Sequence, residues 1–155
     1  MDNKERDWTA DLPQTDHIRF FRNTDWSKTS LGPLEDWHAT LRTFTTFVLA
    51  DSRPACLWWG PTSHLTAIYN AHYAPLAGVL HPRLMGATFM EGYPDLWSSI
   101  CTYFEEAKTT GIGQNYSSAH PLIVERKGYK EEAFFSGSFV PLGPPPNVEG
   151  FLNTT

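Results

Sequence analysis

Pro54-Ala55-Cys56-Leu57-Trp58-Trp59-Gly60-Pro61, followed after Thr62-Ser63 by His64-Leu65-Thr66-Ala67-Ile68-Tyr69-Asn70, is the stretch on which the reading of the fold turns. Proline has no N–H to continue a helix, so Pro54 ends any helix arriving from upstream. Residues 55–59 are a short apolar run closed by Gly60-Pro61, which reads as a strand and a turn. His64 to Tyr69 then returns as its hairpin mate. Asn70 is suited to cap a helix, and Ala71 to Ala77 supplies one or two turns closed by Gly78.

Downstream, the Gly, Pro and His residues between Val79 and Tyr93 predict short helical turns and loops. Pro94-Asp95 opens a longer helix whose apolar face is Trp97, Ile100, Phe104 and Ala107, until Gly111-Ile112-Gly113 stops it. The rest reads as β: Tyr116 to Glu125, a turn around Lys127-Gly128, Glu131 to Val140, then Gly143-Pro144-Pro145-Pro146 and a last strand from Val148 to Leu152. Two strands, a block of helices and three strands make an α+β domain with helices covering one face of an antiparallel sheet. The end at Thr155, so soon after the last strand, is read as a cut before a segment that carries the output.

Upstream, residues 1–33 form a polar arm with a small apolar knot at Ile18, Phe20 and Phe21. In residues 34–51, Leu34, Trp37, Leu41, Phe44 and Val48 recur at steps of three and four, a stripe along one amphipathic helix. That spacing suits a seam between two helices, hence a homodimer, and equally suits packing on the chain's own sheet. Residues 52–155 are the core of the domain.

Composition narrows the function classes. The net charge is −5 and no basic cluster exceeds Arg126-Lys127, so nucleic acid finds no electrostatic footprint. No apolar run approaches the roughly 20 residues that span a bilayer, and the start Met-Asp-Asn-Lys-Glu-Arg lacks a signal-peptide core, so a cytoplasmic location and no membrane insertion are expected. Cys56 and Cys101 form no Cys-x-x-Cys pattern, and the six His show no paired ligand spacing, so no metal site is expected. Glu131-Glu132 sit next to each other on a strand and so face opposite ways, which rules out a shared acid/base role. Ser136 and Ser138 have no nucleophile elbow, and no glycine-rich phosphate cradle is present. No catalytic residue is assigned.

The series Thr24-Asp25-Trp26-Ser27, Leu31-Gly32-Pro33, Trp37, Leu41-Arg42, Pro54, Leu57, Trp59-Gly60-Pro61, Tyr69-Asn70, Tyr73, Pro75-Leu76, Gly78, His81-Pro82 and Gly86 resembles the PAS domains of bacterial and fungal sensor histidine kinases. Trp97, Glu131-Glu132, Phe134-Phe135, Ser138-Phe139 and Pro141 agree with it, so the likeness runs from about residue 20 to 152. The resemblance implies a five-stranded antiparallel sheet in the order 2-1-5-4-3, with flanking helices and a leading amphipathic helix. It implies a signal-sensing and dimerisation module that regulates a downstream kinase domain. It leaves open a cofactor-binding sensor and a ligand-free dimerisation scaffold.

Trp58, Trp59, Tyr69, Tyr73, Tyr103, Phe104, Phe135 and Phe139 are the aromatics that either line a pocket for a small apolar ligand or fill the core. Strand alternation picks Trp59, Tyr69, Phe135 and Phe139 as the inward set. His72 and His81 are the imidazoles available to a haem iron. Light-sensing members of the fold use a reactive Cys in an Asn-Cys-Arg-Phe setting, and Cys101 lies in Ser99-Ile100-Cys101-Thr102 instead, which argues against a flavin.

Overall fold

The computed structural model describes residues 7–117, 122–126, 129–133 and 136–154. Helix α1 (Asp16–Asn23) is capped by the Thr15 side chain, which accepts from the Ile18 amide. A 3-10 turn at Leu34–Asp36 precedes α2 (Ala39–Ala50). Strands β1 (Ala55–Trp59) and β2 (Thr66–Tyr69) form the first hairpin. The short helices α3 (Ala74–Ala77) and α4 (Phe89–Gly92) lead to α5 (Trp97–Thr110). Five strands close the chain: β3 (Gln114–Ser117), β4 (Leu122–Arg126), β5 (Tyr129–Ala133), β6 (Ser136–Leu142) and β7 (Gly150–Thr154).

The main sheet has five strands in the order β2-β1-β7-β6-β3, with every pair antiparallel. Numbered along the chain within that sheet, this is the expected 2-1-5-4-3. The two long strands expected after α5 are each divided. Their inner parts, β3 and β6, join the main sheet, and β4 and β5 form a separate two-stranded ribbon.

Turn chemistry explains the helix ends. Gly111 takes the left-handed conformation (φ +73°) at the C-cap of α5, where its N–H bonds the Ala107 carbonyl. A Cβ there would also lie 2.8 Å from Pro145 Cδ. The outer edge of β2 is occupied: Ala67 exchanges hydrogen bonds with Gly86 and Ala87, and the Phe89 N–H donates to the Leu65 carbonyl.

The helix foreseen over residues 34–51 begins later, at Ala39, where His38 Nδ1 accepts from the Leu41 amide at 3.3 Å and caps it. A 3-10 turn also spaces Leu34 and Trp37 three apart, so the stripe alone could not separate the two conformations. Trp37, Leu41 and Val48, offered above to a partner helix, are only 2%, 3% and 0% exposed and lie in the chain's own core. Leu34 and Phe44 are half-buried against that core. The stripe is thus turned into the chain's own core, part of it on the sheet and Trp37 among the indoles before it.

The arm is built around indoles. Trp26 and Trp37 meet edge to face at 5.1 Å, with Phe21 and Trp8 packed against them. Each indole N–H donates to a backbone carbonyl: Trp8 to Leu34, Trp26 to Phe21 and Trp37 to Gly32, at 2.8, 2.9 and 2.9 Å.

Asn70 fastens α2, the hairpin and the turn before α3 together. Its Oδ1 accepts from the amides of Ala55 (3.2 Å) and Tyr73 (3.0 Å), and its Nδ2 faces the carbonyls of Val48, Asp51 and Arg53 at 3.1, 3.2 and 2.7 Å. The side chain is 1% exposed, so none of these groups can turn to water instead. Asn70→Ala is therefore expected to cost about 3 kcal/mol or more in urea unfolding, because buried donors and acceptors lose their partners. Asn70→Asp, which keeps the acceptor and loses the donor, should also destabilise; a loss under about 1 kcal/mol for both would refute this role.

Candidate functional site

The five residues of β1 are buried without exception, because helices cover one face of the strand and α2 the other. Register assigns the faces. Trp58 stands opposite Phe151 on β7, Cys56 stands opposite Asn153 and Tyr69, and Phe139 stands opposite Asn153. Residues directly opposite share a face, so Cys56, Trp58, Tyr69, Phe139, Phe151 and Asn153 form the face under α4 and α5. Leu57, Ile68, Leu152 and Val140 form the other.

Between that face and the helices lies a small cavity. Trp58, Tyr116, Gly137, Phe139 and Asn153 line it from the sheet, and Tyr73, Phe89, Tyr93, Leu96 and Ile100 from the helical side. Its free volume is about 30 Å³, the share of one water molecule in the liquid. Phe104 closes the space behind it, with its ring 4.7 Å from Phe139 and 4.9 Å from Phe151.

The polar groups at this cavity are few. The hydroxyls of Tyr73 and Tyr93 are 3.2 Å apart, and the Asn153 amide donates to the Ser138 carbonyl at 3.3 Å. Among the described residues, buried Trp58 Nε1 has no hydrogen-bond partner. Every indole of the arm found a carbonyl; the one on the cavity wall did not. A buried N–H left unpaired costs on the order of 1–3 kcal/mol, so this site favours a guest with an acceptor atom.

The sequence-derived residues divide as follows. Tyr73 and Phe139 line the cavity. Tyr69 and Phe104 stand one ring behind it, Tyr69 with its centroid 5.5 Å from Tyr73. Trp59 is a correction: it lies on the opposite face, against Phe44 and His38 of the α2 side. Alternation from Leu57 gave no mark of which face was which, since both faces of β1 are apolar and covered. His72 is exposed on the turn before α3. Phe135 lies outside the described residues. Phe89, Tyr93 and Ile100 were missed, because the loop from 79 to 93 has no periodicity to orient it and the apolar face of α5 is continuous.

No family model matches the sequence, and no curated protein matches it. Solved structures do. The PAS domain of Bordetella pertussis BvgS superposes with a TM-score of 0.52 at 13% identity, over 76% of this chain and 85% of that one. The chain has the PAS fold. The Rhodobacter sphaeroides LOV protein and the RsLOV d2 variant superpose with TM-scores of 0.51, at 13% and 15% identity, over 74% of this chain and 64% of each of theirs.

Within this PAS fold, a haem or flavin does not fit the cavity. Pockets for ligands of that size run to several hundred Å³, against about 30 Å³ here. Among the described residues no His lines the cavity. His81 Nδ1 is engaged by the Tyr69 hydroxyl at 2.7 Å. Cys101, half-exposed on α5, is not on the wall either. Among the described residues no three His, Cys, Asp or Glu side chains converge as metal ligands.

Burial also sets the proton chemistry of the wall. It pushes the Tyr93 hydroxyl up to about 12 and raises Tyr73 and Tyr69 well above the ordinary tyrosine range. Each of these groups binds its proton more tightly folded than unfolded. Their contribution to stability is complete below the ordinary value near 10 and is lost as pH rises through the raised values. Ultraviolet titration should show Tyr69, Tyr73 and Tyr93 resisting ionisation until the domain unfolds in alkali; ionisation of every tyrosine near the ordinary value would contradict the buried wall.

Proposed function

We propose that this domain is the signal-sensing and dimerisation module of a histidine kinase, acting through contacts and occupancy on a kinase domain of the same protein rather than through chemistry of its own. The kinase setting is supported by the motif series that resembles the PAS domains of sensor kinases. The dimerisation role rests on one observation. Ile68, Leu57, Leu152 and Val140 form a single cross-strand apolar row on the outer face of the sheet. Helix α2 packs on β1 and β2, so Ile68 and Leu57 are 0% exposed, whereas Leu152 is half-buried and Val140 39% exposed. Phe47, on α2 itself, is 53% exposed. The row thus continues past the part that α2 covers, and a second copy would bury the remainder.

The ligand role is narrower than the sequence allowed. The cavity suits a small guest that accepts from Trp58, and its size speaks against the haem and flavin alternatives. A ligand-free scaffold would use the same outer face with water against Trp58. Among the described residues no helix is long and apolar enough to cross a membrane.

Sedimentation of the chain at micromolar concentrations is expected to show dimers, with Phe47→Glu and Val140→Glu each weakening association about tenfold or more by placing a charge in an apolar contact. A monomer at every concentration would overturn the dimer role. A native mass spectrum that carries a small bound molecule, lost in Trp58→Phe, would support sensing by occupancy; a spectrum with none would favour the scaffold.

A further inference from the structure

Helix α1 meets the core at a closed arrangement of three rings. His17, on α1, bonds through Nε2 to the backbone carbonyl of Tyr69 at 2.7 Å. The hydroxyl at the other end of Tyr69 lies 2.7 Å from Nδ1 of His81. The two imidazoles stack on each other, with centroids 6.3 Å apart and planes 24° apart, and Phe20 of α1 meets His81 edge-on at 5.1 Å. His17 and His81 therefore grip the two ends of one buried tyrosine across the seam between arm and core.

Proton positions in this arrangement are constrained. A carbonyl only accepts, so His17 must carry a hydrogen on Nε2. Burial keeps the Tyr69 phenol protonated, and its hydrogen can be donated to His81 Nδ1, 2.7 Å away. Only neutral His81 can accept it. A proton on His81 puts a hydrogen on Nδ1 and reverses that bond, and a charge on both rings sets two cations against each other in the stack.

The surrounding groups do not relieve this. On α1, Asp16 is 99% exposed and bound to Arg19, and Arg22 is bound to Asp7. Arg83 follows His81 on an exposed turn. Behind Tyr69 stand Cys56, Tyr73 and Tyr93. Strand β4, beside the turn Gly78–Leu80, carries Glu125 and Arg126 at its end. Among the described residues, the charge acting on His81 is that of His17.

We propose that His17 and His81 form a proton-operated latch, which holds α1 on the core in neutral medium and loosens it in acid. Burial first, and His17 second, hold His81 below its ordinary value of 6.5. The loosened state therefore takes up the proton more readily. The grip is complete above the ordinary value and is lost as pH falls through the depressed one. Loosening acts on both sides: α1 carries Phe21 into the arm's indole cluster, and the Tyr69 ring packs against Tyr73 of the cavity wall.

Amide hydrogen exchange on the full chain, corrected for the intrinsic pH dependence, tests the latch at about pH 7.5 and about pH 5.5, on either side of the usual imidazole range. Protection in α1 should fall about tenfold in acid while α5 keeps its own. In His17→Gln with His81→Asn the amides replace the bonding nitrogens without titrating, so neutral protection should persist and the acid loss disappear. Protection of α1 that ignores pH in the parent chain, or an acid loss that survives in the double variant, overturns the proposal. Should the double variant fail to fold, ring titration of the parent by NMR decides. α1 amide shifts that follow the His81 midpoint support the latch, and shifts with an unrelated midpoint refute it.

Discussion

The arrangement of helices and sheet depends on the Asn70 carboxamide, whose five bonds reach four separate segments of backbone. A buried amide is costly unless every donor and acceptor is met, and here each contact is to a main-chain group whose own ladder ends at that point. Helix α2 terminates there, β1 begins, β2 ends and the turn into α3 starts. The crossing of α2 over the outer face and the entry to the helical block are fixed by one side chain, which is why the aromatic layers on either side of β1 can be large and still close.

With that junction set, the two faces of the hairpin take different roles. The face under α4 and α5 is packed with rings to the point of leaving space for one water, so its interior tolerates little change of volume. Its polar content is confined to tyrosine hydroxyls, one asparagine and an indole N–H without a partner. The outer face is apolar but only partly covered. Between the two faces stands β1, buried on both sides, a rigid element that transmits small shifts rather than absorbing them.

Much of this plan was legible in the sequence, and for definite reasons. Gly60-Pro61, Gly78 and Gly111 are residues whose chemistry demands a turn or a cap, and each stands at the end of an element it was expected to end, whereas the helix expected directly after Asn70 starts only at Ala74. The apolar face of α5, from Trp97 to Ala107, needed only the helical repeat. The sheet order, by contrast, came with the family likeness, since pairing partners leave no local trace. Trp58 and Trp59 could not be sorted by alternation, because a strand covered on both faces has no polar side. The start of α2 was misjudged because a His cap is an uncommon signal and a 3-10 turn imitates the helical step. The packing of the arm escaped notice because its indoles follow no period at all.

The flank of β2 is sealed by the segment around Gly86, whose backbone at φ +85° lets it pass close to Thr29 and Trp26. Free main-chain groups on a sheet's margin invite further strands, and here one margin is already taken. Growth by strand addition is consequently one-directional: among the described residues β3, short and opening with Gln114-Asn115, is the margin left at the other end. A polypeptide polymerising on this sheet could not run through it from side to side, so open-ended stacking of copies by their margins is blocked by the fold itself.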